Sequence, residues 1–317
     1  MRGCAADGSL NDSDFAKPLP TIGLYITGAS LCCAAAMGWD TFRGFRSRRL
    51  WFPARYFTLN AATLTLLAVA TKLPVDLNTS MPGPLEQLSK LSGTVLLCTV
   101  MGNLTPSLGV TDNAAANIIA LGILVATVVV NVAIQMGTGV IYVYRLEHAV
   151  VLFFMLVLLL LLSSSSLTVP TTKRLLEKQY DRKHHRLAND MKPHKERAED
   201  EGGPDDGRYD AERLQEHVKK YWLMAHTSSP QYVLGRLATC TASGAFCLLS
   251  ALALFQAALR SFVARGSGFC NGTSDYTWSI HPVFISQAFR IWSGTRTPSA
   301  VSRCSLAELL QLLVVPF

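Results

Sequence analysis

The chain has 317 residues, of which 50% are hydrophobic and only 16% charged, with a formal net charge of +7. Soluble domains are about as apolar but roughly 25% charged, so it is the missing charge that excludes an ordinary soluble fold. Residues 171–236 hold 26 of the 51 charged side chains, and the remainder contains long runs with none, which excludes disorder throughout.

A bilayer core about 30 Å thick needs about 20 largely apolar residues per helix, because every backbone polar group must be paired without water. Six stretches meet that standard: 21–39, 57–75, 91–109, 114–136, 148–167 and 237–259. The expected fold is therefore all-α, a multi-pass transmembrane helical bundle of about six spans. Its expected order is an extracytosolic segment over 1–20 and a five-helix membrane region over 21–169. A cytosolic linker with an amphipathic helix over 170–236 follows, then the sixth membrane helix over 237–259 and an extracytosolic loop and tail over 260–317.

On the first span, Gly28, Cys32 and Ala36 recur every four residues and read as a face for close helix packing. The run Ala34-Ala35-Ala36 resembles a small-residue cleavage site. The Arg cluster follows the apolar run rather than preceding it, so a retained helix is expected. The third span is the weakest, with Asn103 and Pro106 in its second half, and reads as a kinked or re-entrant element. On the fourth, Asn117, Asn131 and Gln135 project to nearly one side at about 100° per residue, flanked by Thr127 and Thr138. Such a stripe faces the bundle interior, either as interhelical hydrogen-bonding groups or as the lining of a solute path. The fifth is the clearest, with no polar side chain from Val150 to Leu162. On the sixth, Thr239, Ser243, Cys247 and Ala251 form a second small-residue face. The stretch 280–292 is interrupted by His281, Pro282 and Arg290 and is at most a partial seventh span.

Orientation follows from Lys and Arg near the helix ends. Arg43, Arg46, Arg48, Arg49 and Arg55 place the first loop in the cytosol and the N-terminus outside. The loops 74–90 and 137–147 then fall outside, with few basic residues. The segment that opens with Lys173, Arg174, Lys178, Arg182, Lys183 and Arg186 falls inside, as the rule requires. The plasma membrane is preferred over an endomembrane.

That basic tract is positioned to attract anionic lipid, at about 1 kcal/mol per residue near the surface. Its histidines, His184, His185 and His194, lack the flanking ligand spacing of a zinc site. An acidic stretch broken by Gly202, Gly203, Pro204 and Gly207 follows. Leu214, Val218, Tyr221, Trp222 and Ala225 then recur at helical spacing, as an amphipathic helix facing either lipid or a partner protein. Of the eight cysteines, Cys270 and Cys304 are the pair available to an oxidising compartment. Asn11, Asn78 and Asn271 head glycosylation sequons on the outer side.

Catalytic signatures are missing. Gly137-Thr138-Gly139 lacks a third glycine and a strand-to-helix setting, and no phosphate-binding loop, nucleophile elbow or H-E-x-x-H occurs. The expectation is a non-enzyme with no cofactor or metal, partnered by the lipid bilayer and not by nucleic acid. It acts through interactions in or at the membrane, and a transporter or channel with a path along the fourth helix is the alternative.

Several strings carry a family resemblance. Leu50-Trp51-Phe52-Pro53, Phe57-Thr58-Leu59-Asn60-Ala61-Ala62, Lys72-Leu73-Pro74-Val75-Asp76-Leu77 and Lys90-Leu91-Ser92-Gly93-Thr94 are among them. So are Gly137-Thr138-Gly139-Val140-Ile141-Tyr142, Thr168-Val169-Pro170-Thr171-Thr172-Lys173-Arg174, Lys219-Lys220-Tyr221-Trp222, Cys240-Thr241-Ala242-Ser243-Gly244-Ala245-Phe246-Cys247 and Phe269-Cys270-Asn271-Gly272. With these the chain resembles, from about Pro18 to Ser279, the N-terminal part of a plant-specific family of multi-pass integral membrane proteins of unknown function. The resemblance implies a membrane location and supplies no catalytic or binding residues. Beyond Gln287 the sequence departs from the family pattern and becomes Ser/Arg-rich, an atypical tail.

Overall fold

The computed structural model describes residues 17–46, 55–77, 79, 81–109, 114–200, 215, 218–219, 238–263 and 275–292. Asn11, Asn78, Asn271, Cys270, Cys304, the acidic stretch beyond Asp200, most of the amphipathic segment and the tail lie outside them. The described residues are helical throughout, with turns and no strand.

Helix α1 spans Leu19–Arg46, with Arg43 and Arg46 in its last turn, where cations complement the helix dipole. Helix α2, Ala61–Ala70, is capped by Asn60, whose side chain accepts from the Thr63 N–H at 2.8 Å. It stops at Thr71, and a single turn, α3 (Lys72–Val75), continues the path. The stretch 57–75, expected as one span, is thus two helices. The break has a local cause: Pro74 has no N–H for the Ala70 carbonyl four residues earlier.

Helix α4, Pro84–Leu104, opens with Pro84 after Gly83, and Glu86 reaches back to accept the Gly83 N–H at 2.8 Å. A 3-10 turn, Thr105–Gly109, closes the stretch expected as a kinked third span. Helix α5 covers Ala114–Thr138. Gly139 follows it at φ +82, a left-handed position that favours glycine, and the chain reverses into α6. Helix α6 runs without interruption over Arg145–Asp200, about 84 Å at 1.5 Å per residue. The first part of the expected linker is therefore helix. Helix α7 is Ala238–Val263, and the interrupted stretch at 280–292 forms α8 after a 3-10 turn.

Four of these helices are long and apolar enough to cross a membrane: Leu19–Gly44, Ala115–Thr138, Arg145–Thr168 and Thr239–Val263. Two of them, α6 and α7, pack with α3 on α4, which is buried continuously from Glu86 to Gly102. Its position explains its modest hydropathy. A helix enclosed by other helices tolerates Ser, Thr, Gln and Lys, whereas one facing lipid does not.

The outer helices show the reverse pattern. Ile119, Ile123 and Val130 of α5, Phe153, Leu156 and Leu160 of α6, and Leu249, Leu252 and Phe255 of α7 are all exposed. Their opposite faces, such as Val125, Met155 and Leu254, enter the core.

The two small-residue faces part company. On α7, Ser243 and Cys247 are buried, and a Cβ on Gly102 of α4 would collide with the Cys247 sulfur. On α1, Gly28 and Cys32 are exposed and Ala36 is half-buried; the face turned inward is instead Gly23, Ile26, Ser30, Cys33, Met37 and Asp40. Spacing alone does not say which side of a helix finds a neighbour.

Candidate functional site

The polar interior is organised around the break at Pro74. The Ala70 carbonyl, left without a helical donor, accepts the Gln287 amide of α8 at 3.0 Å. The Pro74 carbonyl accepts the Gln135 amide of α5 at 2.8 Å. Each side chain uses its other end as well: Gln135 Oε1 accepts Lys90 Nζ of α4 at 2.8 Å, and Gln287 Oε1 accepts the Ser92 hydroxyl. One proline break thereby ties together α2, α3, α4, α5 and α8. Gly93 permits the approach, since a Cβ there would lie 2.8 Å from Pro74 Cδ.

The other stripe residues are placed differently. Asn117, half-buried, donates to the Leu59 carbonyl at 2.8 Å and fastens the start of α5 to the lead into α2. Asn131 is half-buried. Thr127 and Thr138 are exposed and bond their own helix, at Ile123 and Ile134. Gln135 and Asn117 therefore reach backbone carbonyls of neighbouring segments.

Lys90, Gln287 and Arg290 escaped the sequence reading. Lys90, expected in an outer loop, is fully buried within α4. Asp76 and Glu86 contribute negative charge around it. Arg290 is also fully buried; its guanidinium lies 5.1 Å from the Phe57 ring centroid and 3.3 Å from Met37 Sδ. A usable signal was present in Pro74: a proline inside an apolar stretch frees a carbonyl, and within a membrane that carbonyl requires a polar side chain from elsewhere.

The end of the bundle near the α5–α6 turn carries a second set of groups. Gln87 donates to the carbonyls of Met81 and Val140, both at 2.9 Å. Tyr142 donates to Pro82 at 2.6 Å, and Glu147 pairs with Arg260 between α6 and α7. Tyr276 donates to Asp76 at 3.4 Å, and burial, with Asp76 beside it, pushes its phenol above the ordinary value. At the opposite end Asp40 accepts the backbone N–H groups of Arg55, Tyr56 and Phe57 at 2.8–3.2 Å, folding the arginine loop's end onto α1.

Arg174, Lys178, Arg182, Lys183 and Arg186 are exposed along the continuation of α6; the Lys173 side chain lies outside the described set. Residues 174, 178, 182 and 186 share one broad helical face. Among the described residues no group of three or more His, Cys, Asp or Glu is placed to hold a metal ion. No protein-family model matches the chain, and neither curated proteins nor solved structures include a significant match.

Proposed function

We propose that the chain is an integral membrane protein of about six crossings, with α8 as a partial seventh, that acts through interactions in or at the bilayer rather than as an enzyme. The observation that carries this reading is the apolar outer surface, with buried polar groups gathered on α4 and its contacts. Apolar side chains cover the outward faces of α1, α5, α6 and α7, while the interior holds hydroxyls, amides and Lys90. On this reading α2–α3 and α4 also cross, α4 shielded from lipid by its neighbours and α2 with Ala61, Ala62, Thr65 and Ala68 turned outward. The N-terminus and the α5–α6 turn face outside, the arginine loop and the continuation of α6 face the cytosol, and the membrane is the plasma membrane. The strings noted in the sequence support a relationship to the plant family.

Asn117, Asn131 and Gln135 act as interhelical hydrogen-bonding groups rather than as the lining of a path. The carbonyl partners of Asn117 and Gln135 support this, because a group committed to a neighbouring backbone does not present itself to passing solute. The cytosolic face works through lipid: the basic stripe on α6 meets anionic headgroups.

The test is accessibility. In a chain whose native cysteines are replaced, Asn117→Cys and Asn131→Cys should resist a water-soluble thiol reagent applied from either side. Rapid labelling at both would establish a water-lined path and favour a transporter or channel.

A further inference from the structure

The last two turns of α1 carry two aromatic and two basic side chains on one face. Trp39, Phe42, Arg43 and Arg46 fall within about 100° of arc at about 100° per residue, and all four are exposed. The two rings form a tilted pair with centroids 6.1 Å apart, and each is followed one turn later by an arginine. The returning chain completes the face. Asp40, 6% exposed and turned away from these four, accepts the backbone N–H groups of Arg55, Tyr56 and Phe57. That anchorage sets the Tyr56 hydroxyl where it accepts from Arg43 Nη1 at 3.2 Å, with Arg55 exposed beside it in the chain. The charges do not cancel. Three exposed guanidiniums stand against the one carboxylate of Asp40, whose oxygens are committed to backbone, and Arg290 adds its charge from behind the Phe57 ring.

Orientation in a membrane needs only that basic residues lie on one side. It does not need them aligned beyond an exposed aromatic pair, or one of them tied to a phenol. The face has two tiers, apolar ring area toward the span and N–H and O–H donors past it, and a phospholipid has the same two in its acyl chain and phosphate. A free phosphate would use the donors and leave Trp39 and Phe42 idle. A zwitterionic headgroup would bring a cation among the arginines.

We infer that this end of α1 holds an anionic phospholipid in the leaflet on the arginine-loop side. An acyl chain lies on Trp39 and Phe42. The phosphate oxygens accept from the guanidiniums of Arg43 and Arg46 and from the Tyr56 O–H, whose oxygen already accepts from Arg43, and Arg55 offsets the remaining headgroup charge. The site is separate from the basic stripe on α6, and it rests on the membrane reading proposed above.

Trp39 is its own reporter. The full chain, with Trp51, Trp222, Trp278 and Trp292 replaced by Phe, is placed in nanodiscs of phosphatidylcholine that contain a small fraction of one brominated lipid. Brominated phosphatidylserine is compared with brominated phosphatidylcholine at the same mole fraction, the bromines lying near the headgroup end of the acyl chains. Phosphatidylserine should quench Trp39 emission at least about fivefold more, the preference that a single basic residue near the surface supplies. Combining Arg43→Gln with Arg46→Gln should bring the two lipids close to equality. Equal quenching before any arginine is changed overturns the inference, so it stands or falls even if the arginine variant does not fold, and a preference that survives the loss of both arginines overturns it as well. Quenching by neither lipid puts Trp39 outside the bilayer and overturns the membrane reading itself.

Discussion

Gln135 sits between two obligations, a buried ammonium and the Pro74 carbonyl at the end of α3, and each explains why a glutamine is tolerated near the end of an otherwise apolar helix. Replacing it by Leu removes both bonds and leaves the Lys90 charge without its acceptor. Interhelical hydrogen bonds in membranes contribute about 0.6–2 kcal/mol each, and a buried charge deprived of its partner costs more. Gln135→Leu should therefore lower the unfolding temperature in detergent by clearly more than Asn117→Leu, which loses one neutral bond to Leu59. Equal effects, or an unchanged Gln135→Leu, would contradict the network. At this scale the sequence was legible on one side only. Asn117 and Gln135 stand out as amides in an apolar run, but their partners Leu59 and Lys90 lie 58 and 45 residues away, and Gln287 lies 217 residues from Ala70. No local pattern encodes such pairings.

Hydropathy located α1, α5, α6 and α7 because those helices turn one face to the surroundings, and composition records that face directly. It described α4 less well for the complementary reason, and α2–α3 because the Pro74 break leaves α2 only ten residues long. An enclosed helix answers to its neighbours, so α4 begins seven residues before the expected span and carries Lys90 inside it. The stretch at 280–292 looked too interrupted to count, yet its polar residues are what anchor it, Gln287 to Ala70 and Arg290 against Phe57. The extension of α6 has its own consequence. Basic residues on one face of a continuous helix present their charges together to a headgroup layer. Their attraction should weaken as the Debye length falls from about 10 Å at 0.1 M salt. A peptide spanning residues 171–200 should pellet with phosphatidylserine vesicles at low salt and be released at high salt. Equal pelleting with neutral vesicles would show that the charge serves orientation alone.

Across the whole molecule the expected path alternates between two faces, and the sequons sample one of them. Glycosidase-sensitive mass should disappear when Asn11→Gln, Asn78→Gln and Asn271→Gln are combined. Asn103, which heads a further sequon at Thr105, should stay silent because it lies in α4 with its amide bonded to the Thr99 carbonyl at 2.8 Å. Mass that persists in the triple variant would contradict the orientation.

Whether α2–α3 and α4 cross the bilayer is decided by the segment between α3 and α4. If only the four lipid-facing helices cross, that segment shares a side with the arginine loop. If α2–α3 and α4 cross as well, it shares a side with the α5–α6 turn. Leu77, Val140 and Arg43 are exposed and report the three places. In a cysteine-free background on intact cells, a membrane-impermeant thiol reagent should label Leu77→Cys together with Val140→Cys and spare Arg43→Cys until the membrane is opened. Protection of Leu77→Cys alongside Arg43→Cys, with Val140→Cys labelled, would contradict a bundle of about six crossings built around α4.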